Sequence, residues 1–147
     1  EAESLRLFYS DPERDRNEDE RCVVTAGGAQ HVSGRVVFSG AGWYRPDFRG
    51  RNLSAILPRM SRALAFTRWS SDYTVSLMAD AVVAGGMAQR CGYTNVERAV
   101  ELICSPCGSF ACYFVWMKKR QLLQDLKTFL LTFDAEIDAR VDQRRAQ

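Results

Sequence analysis

At 147 residues, with 46% hydrophobic and 26% charged positions, the chain has the size and composition of one globular domain with its own core. A net charge of +2 argues against nucleic acid or an anionic membrane surface as the main partner, and no apolar run approaches the ~18 residues of a membrane span. Five cysteines without framework spacing fit reduced thiols, and the N-terminal region lacks the basic-then-apolar layout of a secretory signal, so the expected location is cytoplasmic.

Ser4 to Ser10 alternates Leu5, Leu7 and Tyr9 with Arg6 and Phe8 and is expected to be a strand. Asp11 to Arg21 is a mixed-sign charge run, a solvated turn or loop. Cys22 to Thr25 is expected to be a second strand closed by Gly27-Gly28 as a hairpin turn, and Gln30 to Tyr44 a long third strand. Within it, Ser39-Gly40-Ala41-Gly42 interrupts the β-type run Arg35-Val36-Val37-Phe38, which predicts a bulge and a divergence from the next strand in space.

A helix follows to about Phe66, with Ser54 as its N-cap and Pro58 near the end of the first turn, where proline costs least. Its periodicity places Leu53, Ile56, Leu57, Met60, Leu64 and Thr67 on the core face and Arg59 and Arg62 on the opposite one. Asp72 to Met78 is β-rich. A small-residue helix from Asp80 or Ala81 is weakened at Gly85-Gly86 and ends at Cys91-Gly92-Tyr93, with Gly92 as C-cap. Glu97 to Cys104 and Phe110 to Met117 are strands joined by the turn Ser105-Pro106-Cys107-Gly108. From Lys119 to about Arg144 an amphipathic helix carries Leu123, Leu126, Leu130, Phe133, Ile137 and Val141. The order β-β-β-α-β-α-β-β-α predicts an α/β (α+β) fold, a mixed and mostly antiparallel sheet with flanking helices, with residues 1–118 as the main unit and 119–147 as a C-terminal helix.

The stretch Tyr44-Arg45-Pro46-Asp47-Phe48-Arg49-Gly50-Arg51-Asn52-Leu53-Ser54 joins the interrupted strand to the helix. Unpaired first-turn N–H groups and the positive end of the helix dipole favour an anion there, and Arg45, Arg49 and Arg51 add charge; adjacent acidic groups such as a pyrophosphate suit this order. The alternative is an ordinary strand-to-helix turn with solvated arginines.

Pro46 to Arg51 and the residues after it resemble the acyl-CoA-binding segment of the GNAT acyltransferase superfamily, whose signature is Arg or Gln, two residues, Gly, one residue, then Gly or Ala. Arg49 matches; Asn52 and Ser54 stand in the two small-residue places. Gly92-Tyr93 resembles the family's Gly-Phe, and the element order from about Val32 to Met117 is similar to the later part of that fold. The family's helices on the acceptor side are not recognisable; because the chain opens Glu1-Ala2-Glu3 without methionine, they are either trimmed or upstream.

The resemblance implies an acyl-CoA-dependent N-acyltransferase that takes acetyl-CoA or another acyl-CoA and a small-molecule or peptide amine. Its cofactor site would comprise Trp43, Tyr44, Arg45, Arg49, Gly50, Arg51, Asn52, Leu53 and Ser54, with N–H groups near Trp43 and Tyr44 on the thioester carbonyl. Ala88 and Ala81 occupy the places where the family often has tyrosine and asparagine, and Val36 to Tyr44 contains no carboxylate, so Asp72 and Tyr73 are the catalytic candidates, against a turn aspartate and a core tyrosine. These departures keep open a non-catalytic acyl-CoA-binding or protein-interaction domain. Cys104-x-x-Cys107 lacks the second ligand pair zinc needs, so no metal is expected. The last helix could cover the sheet, join a second copy, or dock on other sequence.

Overall fold

A computed structural model describes residues 18–40, 42–105 and 108–145, with 134–145 described by backbone alone. The elements are β1 (Arg21–Val24), β2 (Val36–Phe38), α1 (Leu53–Trp69), β3 (Tyr73–Ala79), α2 (Asp80–Ala84), α3 (Met87–Arg90), β4 (Asn95–Ser105), β5 (Gly108–Lys118) and α4 (Lys119–Arg145). The strands form one mixed sheet in the order β1-β4-β5-β3-β2, antiparallel throughout except for the parallel pair β2 and β3. This is the expected α+β class.

The long hairpin β4–β5 is the centre of the sheet. Their β-branched and aromatic residues alternate across the pleat, so Val115 and Met117 point to one face while the stacked rings of Phe114 and Trp116 lie on the other. The helical face carries the core, where Val115 and Met117 meet Ala88, Cys91, Tyr93 and Leu122, with Phe66, Met78 and Leu126 packed around them. Burying side chains of this size contributes about 1.5–3 kcal/mol each for Val, Leu and Met.

Two strand expectations are corrected. Gly27-Gly28 does not close a hairpin: Gly27–His31 is a 3-10 turn, and β1 pairs with β4 instead of the strand that follows it. The turn is held by Glu97, whose carboxylate accepts the Gly28 N–H at 3.0 Å, and Gly28 lies against the Trp116 ring, where a Cβ would have no room. The third strand is also much shorter than Gln30 to Tyr44. Val36 to Phe38 pair with Tyr73 to Val75, Ser39 N donates to Val75 O at 2.8 Å, and the pairing ends there. Divergence from β3 at the glycines is thus seen, without a continuing strand. The expected strand Ser4 to Ser10 lies outside the described residues, as does the turn pair Pro106 and Cys107.

The helix after Asp80 breaks at Gly85-Gly86 into α2 and α3, as two poor helix formers dictate, and Gly92 takes the left-handed conformation just past its end. On α4 the anchor is Leu122, 1% exposed, whereas Leu123, Leu130 and Phe133 of the expected stripe are exposed. The helix enters one residue out of the register read from its apolar pattern because Leu122, next to β5, reaches the common core first. Among the described residues no helix is long and apolar enough to cross a membrane.

Candidate functional site

The largest departure lies in α1. Arg59 and Arg62, expected in solvent, are 9% and 1% exposed, while Met60 and Leu64, expected in the core, are 62% and 66% exposed. Ala55, Arg59, Arg62 and Ala65 form a second stripe at helical spacing, and it is this stripe that faces inward. Two alanines let the helix approach closely, and the arginines find acceptors far away in sequence. Arg59 makes a fork-to-fork pair with Asp125 of α4, Nε to Oδ2 and Nη2 to Oδ1, both 2.9 Å. Its Nη1 donates to the carbonyls of Ala55 and Arg90 at 2.7 Å, and its guanidinium lies 4.5 Å over the Phe129 ring. Arg62 donates from Nη2 to Cys91 O and lies 4.8 Å over Tyr93, with Asp125 Oδ2 only at 3.8 Å.

Gly92 makes this arrangement possible. With φ of +83° it suits glycine, and a Cβ there would fall 2.5 Å from Asp125 Oδ2 and 2.6 Å from Arg59 Nη2. The N-cap of α1 is Asn52, in the left-handed conformation with φ of 58°, and not Ser54. Pro58 therefore sits deeper in the helix than the sequence reading placed it, and it leaves the Ser54 carbonyl without its i+4 donor. The Cys91 thiol takes that place, donating to Ser54 O at 3.4 Å.

Where β2 and β3 part, a cavity of about 560 Å³ opens, lined by Ser39, Gly40, Gly42, Trp43 and Tyr44 on one side. Ser76 to Ala79 of β3, Val82, Met87, Cys91 and Tyr93 form another wall, and Leu57, Pro58, Ser61 and Arg62 of α1 complete it. Its volume falls within the range of small-molecule sites, and it lies at the carboxyl ends of two parallel strands, a place where α/β sheets bind ligands. The lining contains no Asp, Glu or His.

Of the expected cofactor residues, Trp43 and Tyr44 line this cavity; Arg45, Arg49, Gly50, Arg51, Asn52, Leu53 and Ser54 do not. Arg45 to Asn52 form the loop that leads into α1, and Leu53 and Ser54 are the first two residues of that helix. Arg45 is paired with Asp47, Arg45 and Arg51 each lie 5.2 Å over the Phe48 ring, and Arg49 Nε donates to Tyr44 O at 3.1 Å. The Asn52 side chain makes no capping bond. Asp72 and Tyr73 are not brought to the cavity, because they begin β3 while the cavity opens at its other end. Asp72 instead holds the start of β2, its Oδ2 accepting the Arg35 N–H at 2.9 Å.

Sequence reasoning missed Arg62, Tyr93 and Cys91 as wall residues. The available signal was the second stripe on α1 and a proline whose freed carbonyl needed a donor. Among the described residues Cys91, Cys104 and Cys112 are free thiols, and no group of three or more potential ligands gathers for a metal; Cys107 is outside them.

Burial raises the Tyr93 hydroxyl above its ordinary 10.0, opposed by the nearby Arg62 and Ser39, neither of which meets hydrogen-bond geometry with it. Burial likewise raises Cys91 above 9.0, against the charges of Arg62, Arg59 and Arg90. In both cases the folded protein holds its proton to higher pH than the unfolded chain. Stability from these groups is therefore complete below about pH 9 and is lost as pH rises through their folded values. Urea denaturation between neutral pH and pH ~11 should show a falling midpoint on the alkaline side. Tyr93→Phe should flatten part of that fall, and an unchanged alkaline limb would contradict the assignment to Tyr93.

Comparison with protein-family models, with curated proteins and with solved structures found no match to the chain.

Proposed function

We propose that the protein binds an acyl-CoA and transfers its acyl group to an amine, as a GNAT-like N-acyltransferase acting on a small-molecule or peptide acceptor. The observation that carries this reading is the divergence of parallel β2 and β3 just beyond Ser39 and Val75, which opens a mostly apolar cavity beside a basic loop leading into α1. An acyl-pantetheine arm would lie in that opening. The pyrophosphate would meet Arg49 and the N–H groups of Leu53 and Ser54 at the start of α1, which the Asn52 side chain leaves uncapped, while the Ala55 N–H is already taken by the Asn52 carbonyl.

Transfer forms the C–N bond as the C–S bond breaks, and a proton lost by the amine ends on the departing sulfur. Positioning supplies most of the acceleration in such a site. Of the two phenols on the wall, Tyr44 is raised by burial, so it is held protonated and can donate toward a thiolate. A non-catalytic acyl-CoA-binding domain is the second reading, favoured by a lining without a carboxylate or histidine to act as base.

The test is acetyl-CoA consumption with a panel of amines, run beside a calorimetric titration of acetyl-CoA. Acylated amine together with binding supports the enzyme. Binding without transfer supports the second reading, and neither removes both.

A further inference from the structure

Arg62 poses an electrostatic problem that its protein partners do not solve. Guanidinium is a permanent cation with donors only, and a buried charge is costly unless paired. The neighbouring carboxylate, Asp125, is already engaged by both oxygens with Arg59 and stands 3.8 Å from Arg62. Two cations share one anion, leaving a positive charge on the cavity wall, and Arg90 adds another positive field at Cys91. Arg62 Nε and Nη1 and the Tyr93 hydroxyl are all buried without a hydrogen-bond partner. Both residues line the cavity, whose other walls include Leu57, Leu77, Met78, Val82 and Met87.

From this we infer that the cavity receives a carboxylate on a short apolar stem, with Arg62 and Tyr93 as its receptor. The apolar walls take the stem. Arg62 supplies the opposite charge, and the Tyr93 hydroxyl, held protonated, supplies a neutral donor. Neither group reacts; they select. Resting on the acyl-CoA reading of this site, the inference identifies the acyl group as dicarboxylic, of the succinyl type, in preference to an unsubstituted chain.

The experiment is calorimetry of the full chain with succinyl-CoA, butyryl-CoA (a methyl in place of the carboxylate) and CoA. Wild type should bind succinyl-CoA at least about tenfold more tightly than butyryl-CoA, a difference of about 1.4 kcal/mol. Arg62→Met should abolish that preference, read as the ratio of succinyl-CoA to butyryl-CoA affinity within each protein, and Tyr93→Phe should reduce it. Equal affinities in wild type, or a preference that survives in Arg62→Met, overturn the inference. Should Arg62→Met not fold, the wild-type comparison and Tyr93→Phe still decide it. If no CoA species binds at all, the acyl-CoA reading fails separately. The carboxylate receptor is then read with free hexanoate against hexanol, followed by intrinsic tryptophan fluorescence, to which Trp43 on the cavity wall contributes. A response to hexanoate in wild type that is absent in Tyr93→Phe or Arg62→Met supports it, and no response in wild type overturns it.

Discussion

Replacing Asp125 with alanine should lower the free energy of unfolding by about 3 kcal/mol or more, measured by urea denaturation at neutral pH. The side chains of Arg59 and Asp125 are 11% and 14% exposed, so solvent screens the pair little. Removing the carboxylate leaves two buried guanidinium groups close together with no counter-charge, and such loss of one partner is far more damaging than loss of the pair. The double substitution Arg59→Met with Asp125→Leu should recover part of the stability, since apolar side chains of similar size suit that interior, while the buried Arg62 still lacks its counter-charge. Gly92→Ala should reproduce part of the defect without touching a charge, because its methyl would drive into the same carboxylate and adopt a strained positive φ. If Asp125→Ala costs less than about 1 kcal/mol, the ion pair is only the weak surface kind.

Arg49→Ala should weaken CoA binding by about one to two orders of magnitude, since a charge-assisted contact to pyrophosphate is worth roughly 1.5–3 kcal/mol and each 1.4 kcal/mol is tenfold. Arg49 is exposed and makes one backbone contact, Nε to Tyr44 O, so its loss should leave the fold intact. Pantetheine fragments lacking the pyrophosphate should bind equally to both proteins. The control must be chosen from the structure. Arg62 looks in the sequence like a neutral surface position, but it is buried and lines the cavity, so Arg62→Ala is no control. Arg68, exposed in the last turn of α1, is suitable. Indistinguishable affinities for Arg49→Ala and Arg68→Ala in calorimetry would remove the anion site and leave the loop arginines as solvated surface.

Local chemistry along the chain determined where most of the described elements lie, though not the length of β2 or the partner of β1, and much of the opening between β2 and β3. The β-branched and aromatic runs of β4 and β5 and the glycine pairs are signals that act within a few residues, and a strand or helix break reads them directly. The cavity's Trp43 and Tyr44 were legible for that reason: they follow the glycines that end the pairing. Which face of α1 turns inward was decided only by tertiary structure. Its two stripes have the same period, one rich in leucine and methionine, the other of alanine and arginine, and hydrophobicity favours the first. The second faces the core because Asp125, the carbonyls of Arg90 and Cys91, and the rings of Tyr93 and Phe129 gather around it from other elements. An arginine is admitted to an interior by its partners, and those partners come from sequence positions that no local pattern links to α1.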